Sequence, residues 1–259
     1  MKEFFGFGGY TRPAEGFLSW QHLMFVTFLM AIMVFLSVWL GNKNKNASER
    51  DKNRVLIASA FLIDGFEILK IVLICIRGND PLGWLYMLPL FLCSIQLITL
   101  PLAAFAKGRV REAALDFVCI FGILGAVLGT YGAGQNYNAY PVLSLDNVVS
   151  GITHSISGFA SLYIMISGLI SLKKKNIAIT FSIMLITCVL AYAVNHILDY
   201  NYMFLMRGDG TPYDIFYNMI NGNQILYPLI VVLLFILYII AFYNVYYFIK
   251  KGKSKKTAN

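Results

Sequence analysis

Seven long apolar stretches dominate this sequence and limit what the chain can fold into. Each approaches or exceeds the about 20 residues that a helix needs to cross the hydrocarbon core of a bilayer. They cover residues 17–40, 55–76, 83–105, 113–132, 147–171, 177–198 and 225–249. With 58% hydrophobic and only 13% charged residues, the 259-residue chain has too little polar surface for a soluble domain. We therefore predict an all-α fold in which residues 1–259 form a single membrane-embedded domain, a bundle of seven transmembrane helices.

The basic residues predict the orientation of this bundle, because Lys and Arg in short loops remain on the cytoplasmic side. Most of the 21 Lys and Arg residues lie in loops 41–54, 106–112 and 172–176 and in the tail that follows residue 249. These segments place the N-terminus outside and the C-terminus inside. The net charge of +8 then reflects topology and attraction to anionic lipid headgroups, and we expect no nucleic-acid partner.

Polar residues within the predicted spans are the candidates for function, because each of them is costly in lipid. In the second span, Asp64, Glu67 and Lys70 recur every three residues and share one helical face. They either neutralise one another as a structural ion cluster or relay protons or bind a headgroup. The sixth span carries a second polar stripe, predicted to face inward, formed by Tyr192, Asn195, His196 and Asp199.

A cysteine and a histidine are the strongest candidates for chemistry. At 1.5 Å per residue, Cys93 lies about 15 Å and His154 about 10 Å from the predicted outer ends of their spans. A thiol and an imidazole at similar depth can act as a nucleophile and its base. Pro89, one turn before Cys93, is expected to open the helix there. A buried cysteine is more often a small hydrophobe and a lone histidine a packing residue, so the pattern alone leaves both interpretations open.

Three segments together resemble the YwaF-type integral membrane proteins: LPLFLCSIQLITLPLA at 88–103, GITHSISGFASLY at 151–163 and NHILDYNYMFLM at 195–206. That group is similar to a eukaryotic transmembrane ether-phospholipid acyltransferase. The resemblance implies that Cys93 is the acyl-accepting nucleophile, that His154 is its base, and that phospholipid and lysophospholipid are the partners. It also implies a multi-pass protein of the bacterial plasma membrane. Phe91 stands where many relatives carry histidine, so no second imidazole is expected beside the nucleophile.

Six further residues are candidates for substrate binding. Gln96, Asn195 and His196 are possible donors to an oxyanion or a headgroup, and Asp64, Glu67 and Asn201 complete the set. Neither a metal ion nor another cofactor is expected. Loop 199–224 mixes large apolar side chains with charges, which is typical either of a lid that dips into the membrane interface or of an ordinary packed loop.

Two other functions remain open at this stage. The first is an intramembrane zinc-dependent lipid hydrolase, with His22, His154 and His196 and either Glu67 or Asp199 as ligands. The second is a transporter or receptor that couples protons through the Asp64 stripe, although no pair of symmetry-related broken helices is evident.

Overall fold

The computed structural model describes residues 2–169 and 172–256, and within them every regular element is helical, as predicted. The α-helices are α1 Lys2–Phe5, α2 Trp20–Lys43, α3 Glu49–Gly78, α4 Gln96–Phe105, α5 Gly108–Tyr131, α6 Gly134–Ala139, α7 Leu145–Ile166, α8 Ile177–Leu198, α9 Asp214–Met219 and α10 Leu226–Lys256. Three 3-10 helices join them: η1 Gly83–Met87, η2 Lys174–Asn176 and η3 Tyr202–Phe204. Residues 170 and 171, which end the predicted fifth span, lie outside the described residues.

Five helical segments are long and apolar enough to cross a membrane, where the sequence predicted seven. They are Trp20–Lys43, Gly108–Ala139, Leu145–Ile166, Lys174–Leu198 and Leu226–Lys251, and they correspond to the first, fourth, fifth, sixth and seventh predicted spans. Helix α3 corresponds to the second, and its 30 residues are long enough to span, but it carries the charged stripe in its middle.

The predicted third span is not a continuous helix. Between the end of η1 at Met87 and the start of α4 at Gln96 the chain forms turns, and Cys93 lies in one of them. Ser94 stabilises the break locally: its Oγ accepts the N–H of Phe91 at 2.9 Å and donates to the Phe91 carbonyl at 3.0 Å. Such side-chain bonds compete with helical ones, and Pro89 cannot supply a helical N–H. The chain therefore opens around Cys93, over more residues than one proline predicts.

The chain divides near residue 170 into two compact units. In the first unit α5 and α7 pack against each other along much of their lengths, α2 and α3 pack on α7, and α4 packs on α3 and α5. Small residues allow the close approach of α5 and α7: Gly122 lies against Ser157 and Ser161, and Ser161 Oγ donates to the Cys119 carbonyl. In the second unit α8 packs on η3 and α10.

Candidate active site

The structure brings Cys93 and His154 together against one face of α5. A Cβ added at Gly125 would lie 3.3 Å from the Cβ of Cys93, and one added at Gly129, one turn further, would overlap the imidazole of His154. The thiol and the ring are close enough to interact electrostatically. Both residues are half-buried. The two glycines therefore provide the space in which the cysteine and the histidine meet.

The His154 ring is held in one tautomer by its own helix. Its Nδ1 lies 2.7 Å from the carbonyl oxygen of Ser150, one turn earlier in α7. A carbonyl oxygen only accepts, so Nδ1 carries the hydrogen, and Nε2 of the neutral ring is left with its lone pair. Nε2 is buried and has no regular hydrogen-bond partner among the described residues. It is thus available to accept the proton of the neighbouring Cys93 thiol.

Cys93 lies directly before the first turn of α4. Its carbonyl accepts the Gln96 N–H at 3.3 Å, and the Ser94 carbonyl accepts the Leu97 N–H at 3.0 Å. The amides of Leu92 and Ser94 have no acceptor in the described part of the chain, and that of Cys93 interacts with its own sulfur. Unused backbone amides are donors that can stabilise negative charge, whether on a thiolate or on an oxyanion.

The charged pair of α3 lies beside this cysteine and histidine. Lys70 Nζ is 2.7 Å from Glu67 Oε1, and only 16% and 12% of the two side chains are exposed. Glu67 interacts electrostatically with Cys93, and Lys70 interacts with His154. Glu67 and Lys70 of the predicted stripe therefore form an ion pair that adjoins the candidate site, and the choice between a structural and a binding role for the stripe stays a prediction. The Oδ1 atom of Asp64 is buried and has no hydrogen-bond partner among the described residues.

Closer to the predicted outer end, a second ion pair joins α3 to α7. Arg77 and Asp146 form two parallel hydrogen bonds, Nη1 to Oδ2 at 2.7 Å and Nη2 to Oδ1 at 2.8 Å. The hydroxyl of Tyr10 donates to Asp146 Oδ2 at 2.6 Å. Burial is the main cause that raises the pKa of Tyr10 to about 12, and this hydrogen bond is the second cause. Lys70 and His154 lie about 10 and 12 Å further along their antiparallel helices. The Arg77–Asp146 pair therefore fixes the register that sets Lys70 beside His154.

The other predicted binding residues have mostly local partners. Gln96 is fully buried, and its Oε1 accepts from Thr99 Oγ1 at 3.1 Å, while its Nε2 has no regular partner among the described residues. Asn195 lies in the second unit and bonds Tyr202 twice, at 2.6 and 3.0 Å. Asn201 bonds the backbone of Met206 and Arg207 and the Asp209 carboxylate.

Neither asparagine thus has the open geometry of a binding group, and their predicted role in substrate binding stays untested. His196 is exposed on α8 with its ring edge-on to Tyr192 at 4.6 Å, so this part of the stripe does not face inward. Loop 199–224 packs on its own unit through the buried side chains of Tyr202, Met203 and Leu205. This arrangement favours the ordinary packed loop over the lid.

His22 is bonded at both ring nitrogens. Its Nδ1 accepts the Leu18 N–H at 3.1 Å, its Nε2 lies 3.1 Å from the Thr130 carbonyl, and its ring lies 3.9 Å from that of Tyr137. Among the described residues no three His, Cys, Asp or Glu side chains are grouped so that they hold a metal ion. The geometry therefore gives no support to the zinc-hydrolase alternative.

Comparison with known proteins gives one informative match. No curated protein and no solved structure matches the chain significantly. The model of the TMEM164 family matches residues 17–246, a segment that contains Cys93, His154 and both glycines beside them. Because this match covers far more than half of the sequence, the chain belongs to the TMEM164 family, a family of membrane proteins.

Proposed function

We propose that this protein is a membrane acyltransferase that moves a fatty acyl chain from a phospholipid to a lysophospholipid through a thioester on Cys93. The observation that carries the proposal is the proximity of Cys93 to a histidine whose Nδ1 is occupied by the Ser150 carbonyl. The resemblance to YwaF-type proteins that the sequence suggests implies roles for the same two residues.

The first half-reaction forms the thioester. Nε2 of His154 takes the proton of the Cys93 thiol, and the thiolate attacks the ester carbonyl carbon of the phospholipid. The oxygen of the tetrahedral intermediate receives hydrogen bonds from the unused amides before α4, those of Leu92 and Ser94. When the carbon–oxygen ester bond breaks, the departing lysophospholipid oxygen takes the proton back from His154. The acyl group is then bonded to the Cys93 sulfur.

The second half-reaction transfers the acyl group. The hydroxyl of an incoming lysophospholipid gives its proton to Nε2 of His154, and its oxygen attacks the thioester carbon. The carbon–sulfur bond breaks, and the Cys93 thiolate recovers the proton from the imidazolium. Exclusion of water by the surrounding lipid favours this transfer over hydrolysis.

In the proposed membrane arrangement all seven predicted segments cross the bilayer, with the N-terminus outside. Helix α3 crosses with its charged stripe against protein, and residues 83–105 cross as η1, turns and α4. Non-helical backbone at membrane depth is tolerated where it is buried in protein or lines a cavity, and most of Leu88–Ile95 is partly or fully buried.

The test is acyl transfer by purified protein in proteoliposomes that contain phospholipid with a labelled acyl chain and lysophospholipid. We expect Cys93→Ala to abolish transfer with little loss of stability, because the thiol is small and no other nucleophile replaces it. Cys75→Ala, Cys119→Ala and Cys188→Ala are the matched controls and should each keep most of the activity. Intact mass spectrometry of the wild type should show an acyl adduct that hydroxylamine removes and that Cys93→Ala lacks.

Wild-type rates in Cys93→Ala would refute the assignment of the nucleophile. Release of free fatty acid in place of transfer, still dependent on Cys93, would make the protein a hydrolase that uses the same intermediate.

A further inference from the structure

We propose that Lys70, held by its ion pair with Glu67, binds the phosphate of the phospholipid substrate. This inference rests on the proposed function for the identity of the substrate. It assigns the recognition of the lipid to one charged side chain of α3.

Lys70 has unused bonding capacity. An ammonium group has three N–H donors, and in the described residues the one acceptor within ion-pair distance is Glu67 Oε1, at 2.7 Å. The side chain is only 16% exposed. Donors without acceptors are costly in such a setting, and an anionic oxygen that reaches them gains both hydrogen bonds and charge pairing. A phosphodiester supplies that oxygen.

The position of Lys70 fits a phosphate that belongs to a bound lipid. The esters and the phosphate of a phospholipid are joined by the short glycerol backbone. A phosphate site must therefore lie near the nucleophile that attacks the ester. Lys70 meets this requirement, since it lies about 10 Å along α3 from Arg77, and His154 lies about 12 Å along the antiparallel α7 from Asp146, the residue that Arg77 binds. The Arg77–Asp146 pair holds α3 and α7 in the register that produces this proximity.

The proposal predicts weaker lipid binding by the variant Glu67→Gln/Lys70→Met, which removes the ammonium and its partner charge together and keeps the site electrically neutral. Affinity for a diether phosphatidylcholine, which has a phosphate but no ester and so cannot acylate Cys93, should fall roughly tenfold. Lys70→Arg should keep the affinity, and Lys43→Met, at the exposed end of α2, should not change it.

A second measurement needs no variant. Wild-type protein in nanodiscs of a neutral carrier lipid should bind the diether phosphatidylcholine at least about tenfold more tightly than a dialkylglycerol that lacks phosphate. Inorganic phosphate should compete only weakly, which separates a lipid headgroup site from a site for the free ion. Effective competition by inorganic phosphate would overturn the assignment to a lipid.

Unchanged lipid affinity in a folded double variant would also overturn the proposal, as would equal wild-type binding of the two ether lipids. Both measurements are made without acyl transfer. If transfer is absent while affinity depends on Lys70, the proposed reaction fails and the phosphate site stands. If transfer depends on Cys93 while lipid affinity does not depend on Lys70, the proposed reaction stands and the phosphate site fails.

Discussion

A hydrogen bond from the His154 ring to one backbone carbonyl decides which ring nitrogen can exchange a proton. Because the Ser150 carbonyl occupies Nδ1, the ring has a single free position for proton exchange, and that position is next to Cys93. We expect His154→Ala to reduce acyl transfer nearly as much as Cys93→Ala. The double variant should be no worse than either single one, because residues that act as one unit are not additive in their effects on rate. Initial rates of the three variants in proteoliposomes measure this.

His22→Ala is the control for loss of an imidazole. His22 is buried and bonded at both ring nitrogens, so its removal should lower thermal stability while leaving the specific activity of the folded protein nearly unchanged. A double variant much slower than each single variant would mean that Cys93 and His154 act independently.

Residue types and depth allowed the central pair, and the resemblance to YwaF-type proteins singled it out, while its surroundings needed the fold. All four cysteines lie in predicted apolar spans, so residue type alone did not distinguish Cys93. Arg77 and Asp146 are 69 residues apart and were missed, since each looks like an ordinary charge at the end of a span. Nothing in a local pattern indicates which charge pairs with which across two helices.

At the scale of elements, the glycines of α5 make the site possible. A Cβ at position 129 would occupy the space of the His154 ring, so we expect Gly129→Ala to displace that ring and reduce transfer roughly hundredfold, with stability lowered by about 1–3 kcal/mol. Gly65→Ala in α3 is the matched control, because no atom lies within 4 Å of its added Cβ. It should stabilise the protein by about 0.5–1 kcal/mol and leave transfer unchanged. Full activity in Gly129→Ala would show that the ring need not lie where the structure places it.

The Arg77–Asp146 pair makes a second test at this scale. With 16% and 7% of the two side chains exposed, removal of one partner leaves a buried charge, and Arg77→Gln should cost on the order of 3 kcal/mol of unfolding free energy. Arg54→Gln breaks an exposed pair with Asp51 and should cost less than about 1 kcal/mol. Thermal unfolding in detergent compares the two. Equal losses would mean that the pair does not hold α3 against α7.

Apolar length predicted six helices to within several residues at most ends, and it failed where local chemistry competes with it. The sixth predicted span, 177–198, coincides with α8. The predicted span 83–105 is almost uniformly apolar, so its pattern contains no sign of a break apart from Pro89 and the polar Ser94. The bonds between Ser94 and Phe91 that replace helical ones become visible only in the structure.

At the scale of the whole molecule, the exposed surface is apolar as a lipid-facing surface must be. Large hydrophobic side chains that are more than half exposed include Met24, Phe28 and Phe35 of α2, Phe61 and Ile68 of α3, Ile186 and Val189 of α8, and Leu229 and Leu233 of α10. Exposed apolar area on this scale marks a membrane or partner surface. In the proposed reaction, substrate lipid would therefore reach the protein sideways from the bilayer, without passing through water.

The last prediction concerns the leaflet from which lipid reaches Cys93. With the N-terminus outside, as proposed, α7 begins at its outer end, and His154 lies about 12 Å along this helix from Asp146. Because Cys93 adjoins His154, both then lie in the outer leaflet or near the midplane. In oriented vesicles, a lipid-like thiol reagent added to the outer leaflet should therefore modify Cys93 much faster than the same reagent confined to the inner leaflet. Cys119 is fully buried and cannot serve as the cytoplasmic reference, so Lys107→Cys, at an exposed position before α5, takes that role with a soluble reagent. Faster labelling of Cys93 from the inner leaflet, with position 107 labelled only from inside, would reverse the assigned access route while leaving the reaction itself intact.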